Sequence, residues 1–587
     1  MKFERFDCSK FVPLALKNLH KNIHHITFQT HIALHNNTHI MGSSPDDDVN
    51  DDFSVRRFVE HVSERVLVGA LLALFIHQKE SLIILALMTL LEPVFQKAVE
   101  AVGDILGWLR RLHHLRKLNC APGYNALIGH TVPLFKAVGK YPCTWDLFAF
   151  WSSAKAPKPV RVQIFTRHCV VIADPEPIKR VFNSNIKNYG KDTEFAYNPF
   201  LDILGTGLVT SEGESWKRQR GRISQALRME ILDDVVDIAT RAVDRLCVKL
   251  EKIRGTGEEI ELAEEFRLLT LQVIGEAILS LSPEESDEVM PNLYLPIMEE
   301  CNRRSLEPWR AYLPNKEYFD HKDRVKKLNA YVIKLIRQRW KLKHSVTATP
   351  NADDSIDNPH ADILDRVLAD VPKSEYGPEV ERQMCDEIKT FLLAGHETSA
   401  AMLIWTTWEL AKAPEKMKIA TEEAKKVYKN SEKKNKKTPS RDDLNGLEYI
   451  VGALKESLRL YSVVPVVTRK CLGDDYLGGE FIPKGTTVII SVQGVHHRED
   501  LWENAQAFEP RRFVGNETDE TGNYSYLPFI QGPRNCLGQY LALLEARVVM
   551  ANLLRKFKFT SSRETNGAKH TKMIPIAPAD GIWFTVD

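Results

Sequence analysis

Apolar residues along most of this 587-residue chain recur with the period of an α-helix, and strand-like patterns are few. The helical pattern is clearest over three stretches, 231–253, 262–281 and 381–413. Two β-branched runs, 161–165 and 169–173, predict a hairpin, after which a helix can begin at Asp174-Pro175. Two polar stretches, 344–360 and 429–441, predict surface loops. The chain is therefore expected to be mostly helical.

Two apolar runs near the N-terminus, 66–76 and 82–91, are separated by a polar stretch that begins at His77. Neither run alone reaches the roughly 20 residues that cross a bilayer. The pair favours a membrane anchor within 61–118, either one short span or a re-entrant pair, over a soluble helical hairpin. The basic residues of 110–117 follow, so the positive-inside rule places the C-terminal bulk in the cytosol.

Residues 1–60 have a different composition. Histidines crowd 20–39 with almost no acidic residues, and an acidic cluster follows at 46–52. A disordered leader is favoured over a metal-binding tract. A transit peptide, or a true start at Met41, stays open.

Charge and cysteine spacing exclude other classes. The formal net charge of +1 argues against a nucleic-acid-binding protein. The nine cysteines form no CxxC pair, so a zinc site is not expected. Dispersed cysteines in odd number indicate free thiols in a reducing compartment, so the catalytic part is expected to face cytosol or stroma.

One cysteine, Cys536, stands in a loop, 529–538, that contains three glycines or prolines and leads into an apolar helical run. A helix N-terminus supplies N–H donors and a positive dipole end, which stabilise a thiolate. Arg534 adds a cation for anionic groups. The loop could hold an iron by its sulfur, but an inert buried cysteine is the more common explanation for a single cysteine.

The helix of 381–413 is apolar nearly all round at 391–405, yet it carries Gly395, Glu397 and Thr398. A mid-helix glycine costs about 1 kcal/mol and buried polar groups need a reason. A small-molecule pocket with a proton-delivering acid and alcohol explains them together. The alternative is a threonine hydroxyl that bonds back to its i−4 carbonyl.

Two further charge patterns call for partners. Glu456 and Arg459 lie at i, i+3 among leucines, and Arg512 could complete a buried ion pair. Trp216 and Arg220 place an N–H donor and a guanidinium one turn apart, where both could bind a carboxylate. Surface pairs are the alternative in both cases.

Together these signals resemble the cytochrome P450 family of haem-thiolate monooxygenases over roughly residues 119–587. The match comprises four motifs, and their order along the chain is that of the family. They are the cysteine loop (Phe529, Gly532, Arg534, Cys536, Gly538), the oxygen-binding helix (Ala394, Gly395, Glu397, Thr398), the Glu-x-x-Arg pair with its arginine (Glu456, Arg459, Arg512), and the Trp-x-x-x-Arg turn (Trp216, Arg220). One departure is Ile530, where the family more often has Gly or Ser.

The resemblance implies a mainly α fold with small β-sheets and a haem b cofactor. Cys536 would be the proximal ligand of the haem iron. Glu397 and Thr398 would deliver protons to dioxygen, with Gly395 making room for it. Haem binding would involve Phe529 and Gly538 of the loop, and the propionates would be held by Trp216, Arg220, Arg469 and Arg534. Glu456, Arg459 and Arg512 would form a structural triad behind the cysteine loop.

The subfamily is open between plant-type carotenoid hydroxylases and the fatty-acid, sterol and hormone hydroxylases of the endoplasmic reticulum. Segments 188–191, 207–216 and 516–518 are similar to the first group, and 538–546 to the second. Segments 208–210, 463–467 and 574–578 fall where the family contacts substrate, and they are mostly apolar, so a lipophilic substrate is expected.

The expected reaction is hydroxylation with dioxygen. About 50 residues follow Cys536, too few for a flavin domain. NADPH-derived electrons would therefore come from a separate reductase, or from a ferredoxin in a plastid. A reductase-independent isomerase or dehydratase and a non-catalytic haem-binding protein are the alternatives, and the Glu397–Thr398 pair argues against both. The endoplasmic reticulum membrane is the expected location, with a plastid as the alternative.

Overall fold

The computed structural model of the chain describes residues 78–140, 145–153, 158–227, 229–345, 362–434, 438–515, 523–564, 566–567, 570–571 and 575–587. The chain divides into two compact units, Met1–Gly103 and Asp104–Asp587. Of the first unit, the described part is 78–103, which is helical.

Helices dominate the described residues. They are α1 (Gln78–Leu115), α2 (Thr131–Lys140), α3 (Asp146–Ser153), α4 (Pro175–Lys179), α5 (Leu201–Leu204), α6 (Gly213–Ala226), α7 (Met229–Ile253), α8 (Leu262–Leu279), α9 (Pro283–Val289), α10 (Leu295–Leu306), α11 (Lys316–Ser345), α12 (Ile363–Ala369), α13 (Pro378–Lys412), α14 (Pro414–Lys433), α15 (Arg441–Leu444), α16 (Glu448–Leu460), α17 (Val492–His496) and α18 (Gln539–Lys556).

Three small sheets accompany the helices. Their strands are β1 (Asn119–Cys120), β2 (Val160–Ile164), β3 (Arg167–Ile172), β4 (Tyr189–Gly190), β5 (Ile260–Glu261), β6 (Val466–Cys471), β7 (Asp475–Leu477), β8 (Glu480–Ile482), β9 (Thr487–Ser491), β10 (Phe559–Ser561) and β11 (Trp583–Val586). The largest sheet has the order β1-β2-β3-β9-β6-β4, and the others are β10-β11-β5 and β7-β8. In the largest sheet β3 and β9 pair in parallel, while β2–β3 and β6–β9 are antiparallel.

Helix α13 lies in the core. Pro378 in its first turn and Pro414 just beyond its end fit the boundaries, since proline is tolerated at a helix start and cannot continue a helix. Most of its residues from Met384 to Leu410 are buried, and it packs against α8, α16 and α18. Near its C-terminal end, Trp405 stacks on Tyr461 with ring centroids 4.1 Å apart. A helix buried on several sides accounts for the apolar pattern seen all round it.

Several elements follow the sequence prediction. The hairpin of β2 and β3 pairs Val160 with Val171 through Ile164 with Arg167. Helix α4 begins where predicted, with the Asp174 side chain accepting a hydrogen bond from the Glu176 amide at 3.2 Å. The three long helices are also confirmed as α7, α8 and α13, within three residues at each end.

The predicted loop of 429–441 is partly wrong, because α14 continues to Lys433. Lysine and glutamate favour helix, and Val427 and Ser431 form the buried face of α14. The charged residues between and after them therefore lie on the exposed face of the same helix. The other predicted loop, 344–360, begins inside α11, and 346–360 lies outside the described residues.

Most of the N-terminal predictions fall outside the described residues. These are the leader of 1–60 with its histidine tract and the first apolar run, 66–76. The second run, 82–91, lies in α1, which continues through the predicted basic linker to Leu115. Within the described part of the chain, the helices all fall short of the length and apolar character that crossing a membrane requires. The boundary at residue 118 stays a prediction.

Candidate active site

The loop before α18 is held in shape by its own backbone. The Cys536 amide donates to the Phe529 carbonyl at 2.9 Å, and the Asn535 amide donates to the Gly532 carbonyl at 3.1 Å. Gly532 has φ +83°, and a Cβ there would lie 2.2 Å from the Phe182 carbonyl oxygen. Only glycine fits this close approach. The loop is therefore clamped between α18 and the backbone of Phe182.

The departure at Ile530 has a structural consequence. Its φ is +50°, in the left-handed region that β-branched residues rarely adopt. The side chain packs at the edge of the core cluster formed by α4 and the large sheet. A glycine would adopt this backbone without strain, so apolar packing offsets a local conformational cost here.

Cys536 is exposed in the structure. Its side chain has accessible surface, yet enough protein surrounds it that burial raises the pKa of the thiol. The backbone amides of Gly538 and Gln539, at the start of α18, and the charge of Arg220 lower that pKa. On α13, Ala394 is likewise accessible although its helix crosses the core. Accessible atoms within a dense core are expected where a protein cradles a bulky group.

Arginines approach this loop from several elements. Arg220 on α6 donates to the Asn535 carbonyl at 2.7 Å and to its Oδ1 at 2.6 Å. Arg534 lies over the Trp216 ring, 4.3 Å from its centroid, and donates to the Ser211 carbonyl at 3.1 Å. Arg469 on β6 is buried. Burial of Arg534 lowers the pKa of its guanidinium, and the nearby charge of Arg469 lowers it further. The structure thus brings the four predicted propionate-binding residues, Trp216, Arg220, Arg469 and Arg534, close together.

Lys191 belongs to the same cluster, and the sequence analysis missed it. Its Nζ donates to the Tyr197 hydroxyl at 3.3 Å. Burial, with Arg469 and Arg534 nearby, lowers the pKa of Lys191 to about 8. In the sequence, acidic Asp192 and Glu194 follow the lysine, which is typical of an exposed charge cluster. Its half-buried position is set by tertiary structure, and no local signal in the sequence marks it.

The polar residues of α13 point to different neighbours. The Thr398 hydroxyl donates to the Ala394 carbonyl at 2.5 Å. This i−4 bond is the alternative to a proton-delivery role that the sequence analysis named. A hydroxyl that donates one bond can still accept others. Glu397 lies 3.9 Å from Arg267 of α8. Burial raises the pKa of Glu397 although Arg267 lowers it, so this carboxyl keeps its proton to higher pH than an exposed glutamate.

Gly395 serves helix packing in this structure. A Cβ at residue 395 would lie 2.6 Å from Cδ1 of Ile274 on α8. Such a distance is well inside van der Waals contact, so the glycine allows α8 and α13 to approach closely. The space beside it is filled by Ile274, and a role in making room for dioxygen stays a prediction.

Glu456, Arg459 and Arg512 meet behind the loop. Arg459 donates from Nε and Nη2 to the two Glu456 oxygens at 2.9 and 2.8 Å. Arg512 Nε donates to Glu456 Oε1 at 3.2 Å. Glu456 and Arg459 are fully buried.

His496 connects this ion cluster to the cysteine loop. Its carbonyl accepts from Arg459 at 2.8 Å, and its Nε2 accepts from the Leu527 amide at 2.8 Å. Leu527 lies two residues before Phe529. The sequence analysis missed His496, since a histidine after a short strand carries no distinctive spacing.

A mainly helical fold with small sheets, a cysteine loop at a helix N-terminus and cations beside an accessible thiol is the architecture of a haem-thiolate protein. Comparison with known proteins gives the family. A model described as Cytochrome P450 matches residues 147–580. The chain belongs to the cytochrome P450 family and is a haem-thiolate monooxygenase.

Relatives come from plants and animals. Protein LUTEIN DEFICIENT 5, chloroplastic, of Arabidopsis thaliana is 30% identical over 71% of this chain and 70% of its own length. Cytochrome P450 4c21 of Blattella germanica is 30% identical over 78% and 91%. The ultra-long-chain fatty acid omega-hydroxylase of Homo sapiens is 27% identical over 71% and 79%. The relatives include a chloroplastic plant protein and a human fatty acid hydroxylase, and the subfamily stays open.

Proposed function

We propose that the protein hydroxylates a lipophilic small molecule, with haem held through Cys536 and with electrons from a separate NADPH-dependent reductase. The observation that carries this proposal is the exposed Cys536 just before α18, where backbone amides and the charge of Arg220 act on its thiol. Bound haem supplies the activation of dioxygen that oxygen insertion requires. The other steps belong to residues of the chain.

The thiolate is the group that the loop must stabilise. Burial raises the pKa of the Cys536 thiol, and two backbone amides at the α18 N-terminus and the Arg220 guanidinium act against that rise by stabilising the charged sulfur. Arg220 also fixes the loop through Asn535, so one residue both positions and stabilises the ligand. Glycine at 532 holds the loop against Phe182.

The cation cluster is the proposed propionate site. Carboxylates bind best to preorganised guanidinium and ammonium groups in surroundings of low polarity. Burial lowers the pKa of Lys191, and the repelling charges of Arg469 and Arg534 nearby lower it further. Two carboxylates would relieve that repulsion. Trp216 keeps Arg534 in place by stacking.

Glu397 and Thr398 are the proposed proton-delivery pair. Glu397 is 13% exposed, and it neighbours Arg267, which bonds to the exposed Glu264 at 2.6 Å. Glu397 can therefore exchange a proton with solvent, and we assign to Thr398, the next residue on α13, the transfer of that proton to the reacting group. A raised pKa makes Glu397 a proton donor at neutral pH more readily than an exposed glutamate.

Membrane association and lipophilic substrates form part of the same proposal. The segment between α10 and α11 exposes the large apolar side chains of Trp309, Tyr312 and Leu313, and the first turn of α11 exposes Phe319. Exposed apolar groups of this size in one segment favour contact with a bilayer, where lipophilic substrates partition. We place the protein at the endoplasmic reticulum, with the catalytic part facing the cytosol.

The proposal is tested by product profiling in membranes with and without an NADPH-dependent reductase. Carotenoids, sterols and fatty acids form the substrate panel. We expect a hydroxylated product that requires NADPH, reductase and dioxygen. Product formation from a hydroperoxide without reductase would identify an isomerase or dehydratase instead, and would contradict the proposal.

Replacing Thr398 by alanine is expected to leave haem binding intact while NADPH oxidation no longer yields product in proportion. The hydroxyl's i−4 bond contributes little to stability, so the fold should be kept. Thr406 is the matched control, because its hydroxyl makes the same type of bond to the Met402 carbonyl two turns along the helix. The ratio of product to NADPH consumed should fall severalfold in Thr398→Ala alone. An unchanged ratio would remove Thr398 from proton delivery.

A further inference from the structure

Two arginines and a histidine at one face of the β2–β3 hairpin form a cluster apart from the active site. The hairpin cluster consists of Arg111 on α1, Arg161 on β2 and His168 on β3. In the antiparallel register Arg161 lies opposite Val170 and Gln163 opposite His168, so Arg161 and His168 share a face. Arg161 is 7% exposed and His168 is 2% exposed.

The end of α1 that belongs to the second unit, from Asp104 to Leu115, covers this face. The Trp108 ring lies 5.1 Å from the His168 ring, and Trp108 Nε1 donates to the Thr166 carbonyl at 2.8 Å. The Arg111 guanidinium packs against Gly485, where a Cβ would lie 2.6 Å from Nη1. Arg111 is therefore held beside the hairpin and acts electrostatically on His168.

The hairpin cluster lacks negative partners. Within the part of the chain that the structure describes, Arg111 and Arg161 have no carboxylate at ion-pair distance, and Asp104 acts on Arg111 only from further away. The neighbouring Arg167 shows the contrast, since it pairs with Asp192 at 3.4 Å and Glu194 at 3.6 Å. Arg161 is buried and Arg111 is half-buried. Because buried charges are normally paired or bind an ion, the two arginines together indicate a site for an anion.

Hydrogen bonding among the described residues also indicates that an anion is missing from the hairpin cluster. Among described residues, Arg161 Nε and both ring nitrogens of His168 have no partner. The nearby neutral acceptor is already used, because Gln163 Oε1 accepts from the Tyr124 hydroxyl at 3.3 Å. The Tyr124 ring stacks on Arg161 at 4.7 Å and fixes its guanidinium plane. Donors in fixed positions with acceptors missing define a site for an acceptor-only ligand.

We propose that the hairpin cluster binds a phosphate group, with the two guanidinium groups and a His168 N–H as donors. A tetrahedral anion offers several oxygens to donors that converge from three elements, and arginine forks match phosphate geometry. Burial and the two arginines lower the pKa of His168 to about 4, so its ring is neutral and carries one N–H at physiological pH. Leu127, before α2, is 86% exposed, and Phe165, between β2 and β3, is 51% exposed. Exposed apolar side chains next to the hairpin cluster favour the phosphate of a phospholipid, because its acyl chains supply an apolar surface.

Inorganic phosphate and vesicles distinguish the two sources of the group. Thermal unfolding and calorimetric titration of the haem-loaded protein measure phosphate binding. Flotation with phosphatidylcholine vesicles, with and without phosphatidic acid, measures headgroup binding. We expect phosphate to raise the melting temperature and phosphatidic acid to increase vesicle binding. Binding of vesicles alone would identify a lipid headgroup, and binding of phosphate alone a soluble ligand. Binding of neither overturns the proposal.

Charge-matched variants separate the site from general electrostatics. Arg161→Gln and Arg111→Gln should each weaken phosphate binding at least tenfold. Arg116→Gln is the control. Arg116 is exposed in the turn directly after α1, and its replacement changes the net charge by the same amount. Equal weakening in all three variants would contradict a defined site.

Two readouts stay informative if a variant folds poorly. In the unaltered protein, bound phosphate should raise the pKa of His168, followed by nuclear magnetic resonance of its ring protons, since a nearby anion favours the imidazolium form. In phosphate-free buffer, Arg161→Met should not lower the melting temperature, because it removes an unpaired buried charge. An unchanged His168 titration at saturating phosphate would place the anion elsewhere.

Discussion

Replacing Cys536 by alanine is expected to abolish the red-shifted, thiolate-type Soret band that the reduced protein gives with carbon monoxide, and turnover with it. The sulfur is the proposed ligand of the haem iron, and no second thiol of the described residues lies in this loop. Haem content should fall as well, because the iron loses its proximal bond. Difference spectra and haem quantification measure both effects.

The fold should survive this substitution, which makes the result interpretable. The loop is held by the amide of residue 536, by Gly532 against Phe182, and by Arg220 on Asn535, none of which uses the sulfur. Unfolding of the haem-free protein should change by less than about 1 kcal/mol. Cys120→Ala, at an exposed cysteine in β1, is the matched control and should keep the band. A normal band in Cys536→Ala would mean that another residue binds the iron.

The sequence predicted the fold well where pattern and packing agree. The 3.6-residue period of α7, α8 and α13 is set by burial of one or more faces, and such periodicity is legible in a single chain. The end of α14 was misjudged because Lys and Glu on an exposed helix surface have the composition of a loop. Composition records exposure to water, and it does not distinguish a helix surface from a loop.

The candidate site was predictable only in part. The motif residues could be found from the sequence, and their charges indicated that they need partners in the folded protein. Lys191 and His496 were missed because each acts through contacts distant in sequence, with Tyr197 and the arginines in one case and Leu527 and Arg459 in the other. The packing of Gly395 against Ile274 was hidden for the same reason, since α8 lies more than a hundred residues earlier.

Replacing Arg459 by methionine is expected to lower the free energy of unfolding by about 3–5 kcal/mol, or to prevent folding at growth temperature. Arg459 and Glu456 are fully buried and joined by two hydrogen bonds. Without the arginine, the Glu456 carboxylate keeps Arg512 and the Glu509 amide as partners in a site closed to water. The carbonyls of His496, Ala505 and Ala507 also lose their donor. Denaturant unfolding of the haem-free protein, with soluble yield, measures the loss.

Arg512→Met is the comparison that tests this explanation. It removes the same charge, but its side chain is 18% exposed and the bidentate Glu456–Arg459 pair remains, so the loss should be smaller, about 1–2 kcal/mol. Arg459→Lys keeps the charge but cannot reproduce the fork or reach the three carbonyls together, so it should fall between the two variants. Equal destabilisation by Arg459→Met and Arg512→Met would show that burial of Arg459 is not what matters. The His496 link to Leu527 makes a second effect expected, since the cysteine loop begins two residues later: a folded Arg459 variant should incorporate less haem than a folded Arg512 variant.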